Sequence, residues 1–354
     1  MQKKCVNIDW LEVFCLEPMS INKKGRNTAE VIEKRGYTVR KRDYGTPIYN
    51  EVLFVYEQGI EHTPIFEIRR SPRQSEGKNI LPTNACHIRL TNQYCYSKHP
   101  IQLIQNFIIE LEYTYKQIKR IDLCVDFNKF DNNMSPAQFL SLFMSNRISK
   151  LHQSNVSLHG MDKWDGRYWN SIKWGSTSSN ITTKLYNKTL EMCQSKMKSY
   201  IQEHWRLAEL DVSSNVWRVE FSINAAKKGF MNIKQQDMYK MKLTDFDTRD
   251  KCLFIFNILS QKYFNFKYVE LNKDGTFKRK DRCKSLELFK LRLLEQAYTT
   301  RDLKITKDPD RISKILMNRC RQLSQDKELD EITRKSASNL FKYYYEIFDR
   351  YWGT

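Results

Sequence analysis

Glycine and proline are scarce in this 354-residue chain, at 11 and 8. That excludes collagen-like repeats and the Pro/Gly-rich composition of disordered linkers. Cysteine occurs nine times, yet no two are spaced as Cys-x-x-Cys, which argues against zinc ribbons and zinc fingers. The odd count, with no secretory signal, fits reduced thiols and a cytoplasmic location. No apolar run approaches the ~20 residues that cross a bilayer, so no membrane role is expected. The six histidines (His62, His87, His99, His152, His159 and His204) include no pair two residues apart, so a His-hydrophobe-His metal motif is missing. The sequence has no internal repeat and no low-complexity segment.

Positive charge and apolar carbon are abundant. Lys and Arg number 60 against 41 Asp and Glu, for a formal net charge of +19. Such a surplus says nothing about fold, but it favours polyanionic partners, because each Lys or Arg that neutralises a phosphate releases a counterion. At 40% hydrophobic and 13% aromatic, the chain can bury a core. The charge is denser late in the chain, at +9 over 231–354 against +10 over 1–230.

Residue patterning predicts an α+β fold: a mainly antiparallel sheet with flanking helices over 1–230, then a mostly helical, basic region over 231–354. A strand at 6–15 (VNIDWLEVFC) leads to a charged connection at 23–36, helix or loop. Residues 44–70 read as a hairpin around Gln58-Gly59, and 86–96 as a short strand. Leu103, Ile104, Phe107, Ile108 and Leu111 recur at helical spacing within 100–115. A strand covers 119–130. Ser135 and Pro136 then open a helix as N-cap and first helical residue. Residues 150–179 read as a loop and one hairpin, 181–188 as a strand, the stretch to about Leu210 as a helix, and 216–224 as a strand. In the tail, a hairpin over 264–280 turns at Asp274-Gly275.

Three strands carry a polar stripe behind an apolar one. In RIDLCVDF (120–127), Ile121, Leu123, Val125 and Phe127 share one face, and Arg120, Asp122, Cys124 and Asp126 the other. Asp is disfavoured in strands, so two on one face need a reason. A divalent cation such as Mg²⁺ or Mn²⁺ is one, and solvent exposure beside Arg120 is the other. Four residues of straight strand span ~13 Å, too far for both carboxylates to ligate one ion. In WRVEFSI (217–223), Arg218, Glu220 and Ser222 oppose an apolar face. In KLYNKTLE (184–191), Lys184, Tyr186 and Lys188 share a face if the strand runs that far. A neutral tyrosine is a poor nucleophile, and flanking lysines or a metal would favour its phenolate.

These segments, in this order, resemble the conserved blocks of the Rep_trans family of rolling-circle replication initiation factors. RIDLCVDF resembles its RxDxxxD strand, WGSTSSNITTKLYNKTLE (174–191) its GS turn and YxK strand, and WRVEFSI its RxE strand. VNIDWLEVF resembles its opening strand. The resemblance covers roughly 6–230 and leaves the tail uncovered. It implies a metal-dependent nicking and closing enzyme in which a tyrosine attacks a phosphodiester of origin DNA, leaving a 5′-phosphotyrosyl link and a free 3′-OH. Carried over, Tyr186 is the nucleophile and Asp122, Asp126 and Glu220 are metal ligands for Mg²⁺ or Mn²⁺. Lys188 and Arg218 contact phosphate, and Gly175 and Ser176 form the turn. Glu191 is placed to orient Lys188, and Glu67 is a further carboxylate candidate. Lys184 is a DNA contact by its place beside Tyr186.

The expected partners are origin DNA, a host helicase and a second copy of the chain. Lys278, Arg279 and Lys280 of the tail hairpin are expected to touch duplex DNA; the alternative is a solvated cap packing Leu288, Leu291, Ile315, Leu316 and Phe341 on the core. Replication and conjugative transfer share this chemistry. A DNA-binding protein without catalysis is the rival reading, and an RNA-binding platform is disfavoured because no aromatic ribonucleoprotein motif is seen.

Overall fold

The structure is a computed structural model that describes residues 2–18, 28–59, 62–73, 81–163, 166–176, 178–195, 197–224, 241–289, 323–325, 330–331 and 333–339. The chain forms two compact units, Met1–Leu291 and Arg292–Thr354. In chain order the first unit contains β1 (Cys5–Leu16), α1 (Thr28–Glu33), β2 (Tyr37–Lys41), β3 (Tyr49–Glu57), β4 (Phe66–Pro72), β5 (Ala85–Leu90), α2 (Asn92–Cys95), α3 (Pro100–Glu110) and β6 (Thr114–Phe127). It continues with α4 (Pro136–Met144), β7 (Ile148–Lys150), β8 (Val156–Lys163), β9 (Gly166–Trp174), β10 (Ile181–Asn187), α5 (Lys188–Gln194), α6 (Ser199–Leu207) and β11 (Trp217–Asn224). After residues 225–240 come α7 (Arg249–Tyr263), β12 (Phe266–Tyr268) and β13 (Ser285–Leu286).

Ten strands form one antiparallel sheet in the order β2-β3-β4-β5-β1-β6-β11-β10-β9-β8. The α+β architecture with a large antiparallel sheet and flanking helices is the one the patterning predicts. One sheet face is apolar. Ile121, Leu123, Val125 and Phe127 of β6 and Val219, Phe221 and Ile223 of β11 are fully buried there. Helices close over it: Phe107 of α3 stacks on Phe66 at 4.0 Å, and Phe256 of α7 meets Phe221 at 5.0 Å. An aromatic cluster of Phe130, Phe139, Phe264, Phe266 and Trp174 ties α4 and the small β13-β12-β7 sheet to the same core.

Several boundaries differ from the sequence reading for local reasons. Helix α3 stops at Glu110 because Glu112 turns to positive φ (56°) and the Tyr113 N–H returns to Ile108 O, so β6 starts early, at Thr114. The strand expected over 86–96 ends at Leu90; Thr91 and Asn92 open a four-residue helix instead. The helix expected up to about Leu210 is two, α5 and α6, broken after Gln194. Strand β2, unforeseen, is a half-exposed sheet edge carrying Arg40 and Lys41, as edges that avoid further pairing do. The Ser135 cap is as expected: its hydroxyl accepts from Gln138 N and the Gln138 side chain accepts from Ser135 N.

The tail does not begin at 230, because α7, β12 and β13 lie within the first compact unit. The hairpin expected over 264–280 is shorter. Leu271 and Phe277 bridge across the Asp274-Gly275 turn, while β12 pairs with β7 and β13 rather than with the second arm. The expectations for Leu291, Ile315, Leu316 and Phe341 lie outside the described residues. In the second unit, helical residues are described at 323–325, 331 and 333–339. No described helix is long and apolar enough to cross a membrane.

Phe256 is fully buried between Phe221 and Phe289. Phe256→Ala should lower unfolding free energy by about 3–5 kcal/mol in urea titration. A loss under ~1 kcal/mol would mean that α7 is not part of the sheet's core.

Candidate active site

The opposite face of the central strands is polar, and the register fixes which groups meet. Arg218 of β11 lies across from Asp126 of β6 and from Tyr186 of β10. Glu220 lies across from Lys184 and Cys124, and Ser222 from Asp122. The tyrosine and the carboxylates thus occupy three adjacent strands.

Arg218 is fully buried and held by two acids. Its Nε and Nη2 donate to Asp126 Oδ1 and Oδ2 at 2.6 and 2.7 Å, a bidentate pair. Its Nη1 lies 2.7 Å from Asp9 Oδ1, and Nη2 also donates to the Tyr96 hydroxyl at 2.8 Å. Tyr96 in turn donates to Asp9 at 2.6 Å, and the Trp205 indole donates to Asp126 at 2.7 Å. Burial raises the Asp9 pKa, but Arg218 and then Lys188 outweigh it and leave the carboxyl well below its ordinary range. Tyr96, beside α2, packs at a tilt against Tyr200 of α6, which covers this end of the polar face.

Arg218 is therefore committed to buried carboxylates, not presented to a phosphate, and Asp126 is saturated by Arg218 and Trp205, not free for a metal. The resemblance carried Arg218 over as a phosphate contact and Asp126 as a metal ligand; the side-chain geometry gives each a buried protein partner instead. Glu67 is also set apart. It pairs with Arg69 at 2.7 Å and Arg89 at 3.1 Å on β4 and β5, five strand spacings from β10, or roughly 24 Å.

Asp122 and Glu220 are diagonal neighbours on β6 and β11, since Asp122 lies across from Ser222 and Glu220 from Cys124. Burial, and beyond it the charge of Glu220, push the Asp122 carboxyl up to about 6 despite its hydrogen bond from Arg120. Arg120 pairs with Asp122, and the Lys184 ammonium pairs with Glu220 Oε1 at 2.8 Å. Both cations are about a third exposed (33% each), so either can swing aside. Hard carboxylate oxygens suit Mg²⁺ or Mn²⁺. Among the described residues, however, no three His, Cys, Asp or Glu side chains are grouped to hold an ion. Asp122 and Glu220 could supply two ligands, leaving the remaining positions to water or substrate oxygens.

Tyr186 donates its hydroxyl to Glu220 Oε2 at 2.9 Å. Burial, then the negative charge of Glu220, hold the phenol well above its ordinary pKa, with Arg218 opposing. The ring lines an open cavity of about 420 Å³ together with His159, Ser171, Lys184, Glu191 and Gln194. The strand ends immediately afterwards. Asn187 caps α5, its side chain accepting from Leu190 N at 3.0 Å. Lys188 is thus a first-turn helical residue and not the next inward strand position. It is 2% exposed, its Nζ lies 5.5 Å from the Tyr186 ring centre, and it pairs with Glu191 at 2.7 Å.

In the tail, Lys278 pairs with Glu270 at 2.7 Å and Arg279 with Asp281 at 3.3 Å, so both are partly neutralised where they stand. The sequence reading missed Asp9, Tyr96 and Trp205. Asp9 sits at a β-bulge between Ile8 and Trp10, which ordinary alternation does not anticipate.

No protein-family model matches the chain, and a search of curated proteins finds no match. Among solved structures, a rolling circle replication initiator protein from Geobacillus stearothermophilus is similar at 15% identity and a TM-score of 0.45, over 80% of this chain and 93% of that one.

Arg218→Met should cost roughly 3–5 kcal/mol of stability, because Asp126 and Asp9 would lose their buried partner. Unchanged urea stability with weakened DNA binding would instead return Arg218 to the role of phosphate contact.

Proposed function

We propose that this protein nicks and rejoins DNA through Tyr186 and that it initiates rolling-circle replication. The observation that carries the reading is the Tyr186 hydroxyl bonded to Glu220 at the wall of an open cavity, with Lys184 beside it. A tyrosine hydroxyl needs a base to become a nucleophile, and Glu220 already accepts its hydrogen bond. The ordered motifs resembling Rep_trans proteins and the net charge of +19 support DNA as substrate.

The chemistry balances as a transesterification. The Tyr186 oxygen attacks phosphorus while Glu220 takes its proton. A phosphotyrosyl O–P bond forms as the bond to the 3′ oxygen breaks, and that oxygen departs with the electron pair and is protonated to a 3′-OH. Rejoining reverses each transfer. Lys184 offers positive charge to the phosphate once released from Glu220, and buried Lys188 contributes positive potential beside the ring. A divalent cation at Asp122 and Glu220 would polarise the phosphate oxygens and stabilise charge in the transition state. Conjugative strand transfer uses the same chemistry and is the second reading for the same residues. A host helicase and a second copy of the chain are the proposed protein partners.

The test is covalent capture on a pool of randomised single-stranded DNA with Mg²⁺ or Mn²⁺. A protein–DNA adduct that survives denaturing electrophoresis is expected from the native chain and not from Tyr186→Phe. Glu220→Gln should slow adduct formation at least ~100-fold, the usual contribution of a positioned base. Full adduct yield from Tyr186→Phe would assign the nucleophile elsewhere. DNA binding that is steeply salt-dependent, with no adduct under any metal condition, would leave a binding protein.

Chelation supplies a separate check. EDTA should abolish the adduct, and Mg²⁺ or Mn²⁺ should restore it in the native chain but poorly in Asp122→Asn. Undiminished yield in EDTA would remove the metal from the mechanism.

A further inference from the structure

A second cavity, of about 530 Å³, lies against the other face of β10. Strand alternation separates the two: Ile181 and Thr183 line this one, Lys184 and Tyr186 the first. Lys150, the last residue of β7, is buried in its wall at 9% exposure. The ammonium donates to Ser154 Oγ at 3.1 Å and stands 5.6 Å from the Trp174 ring centre.

Among the described residues no carboxylate pairs with that charge. No Asp or Glu lines the cavity, and none lines the adjoining cavity that shares Lys150, His152 and Ser154. Burial alone shifts the Lys150 ammonium, down to about 8. A second group points the same way. The Trp174 indole nitrogen is buried without a hydrogen-bond partner among the described residues, and an indole can only donate. Leaving such a donor unpaired is costly.

The turn between β9 and β10 adds hydroxyls. Gly175 holds φ at +103°, and a Cβ there would come within 3.1 Å of Ile181 O, so the tight turn requires glycine. It gathers Ser176, Ser178 and Ser179, with the Ser176 hydroxyl 2.9 and 3.1 Å from the other two. Lys150, Trp174 and these serines line a space in which, among the described residues, no carboxylate is found.

We propose that this cavity binds a phosphate group of a nucleic-acid strand, held by Lys150, the Trp174 indole and the serine hydroxyls of the β9–β10 turn. The adjoining cavity continues the lining to Lys280 and to Phe277, which is 75% exposed, so the track is longer than a single phosphate ion needs. The proposal rests on nucleic acid being the substrate but not on nicking by Tyr186.

The test follows the indole N–H resonance of Trp174 in the full chain, assigned by its loss in Trp174→Phe. Short oligothymidylate is titrated at constant ionic strength, with inorganic phosphate and chloride as separate arms. The resonance should move with oligothymidylate, less with inorganic phosphate and not with chloride. Lys150→Met should weaken the oligothymidylate response about tenfold, the worth of one charge-assisted hydrogen bond. Lys150→Arg should retain most of it. Lys150→Met removes a buried charge and keeps the stem, so it should fold; Lys150→Arg tests charge without deleting it. Tyr186→Phe should leave the titration unchanged, which separates this site from the nicking reading. A resonance unmoved by oligothymidylate, or moved equally by chloride, overturns the proposal. A response to inorganic phosphate alone would make this a free-anion site and also overturn it. Equal titration of Lys150→Met and the native chain would exclude Lys150.

Discussion

Arg218 is gripped from two sides beneath the site, by Asp126 through a bidentate pair and by Asp9 across the bulge of β1. The three groups join β1, β6 and β11, the centre of the ten-stranded sheet. Charges this deep persist only when each is paired, and removing one member leaves the others uncompensated. Trp205 donates to Asp126 and Tyr96 accepts from Arg218, which also docks α6 and α2 over this end of the polar face. The reactive strand β10 is laid against β11 in a register that places Tyr186 beside Arg218 and Lys184 beside Glu220. The position of the nucleophile candidate thus depends on an ion cluster that need never touch substrate.

The polar face divides its acids by environment. Asp126 and Asp9 are spent on Arg218. Asp122 and Glu220 are held by cations that remain partly exposed and replaceable. Four carboxylates on neighbouring strands therefore separate into a pair sealed around Arg218 and a pair whose cations are partly exposed, and the distinction lies in the partners rather than in the residue type.

Much of this was legible in the strand alternation. The residues Asp122, Asp126, Arg218, Glu220 and Tyr186 do lie on one face, and the ~13 Å between Asp122 and Asp126 does assign them to different company. What alternation could not supply was register. Whether Arg218 faces Asp126 or Asp122 depends on how β11 slides along β6, and one residue either way reverses the face. Asp9 depends on a bulge, and Tyr96 and Trp205 come from helices whose docking no local pattern encodes. Lys188 was misplaced for a simpler reason: Asn187 is a good helix cap, and the strand stops there. In the tail, the Asp274-Gly275 turn was correctly located, but the pairing of β12 with β7 is a contact across more than a hundred residues that composition cannot show.

The sheet ends at β8, two strands beyond β10, and it does not close on itself. The open cavity at Tyr186 is lined by residues of β8, β9 and β10, at that end of the sheet. A barrel or a ring would require a polymer to be threaded by a free end. An open sheet imposes no such condition, and a molecule without ends can be laid across it from the side. The architecture is therefore topologically indifferent to whether a polymer laid on it is a linear piece or a closed circle.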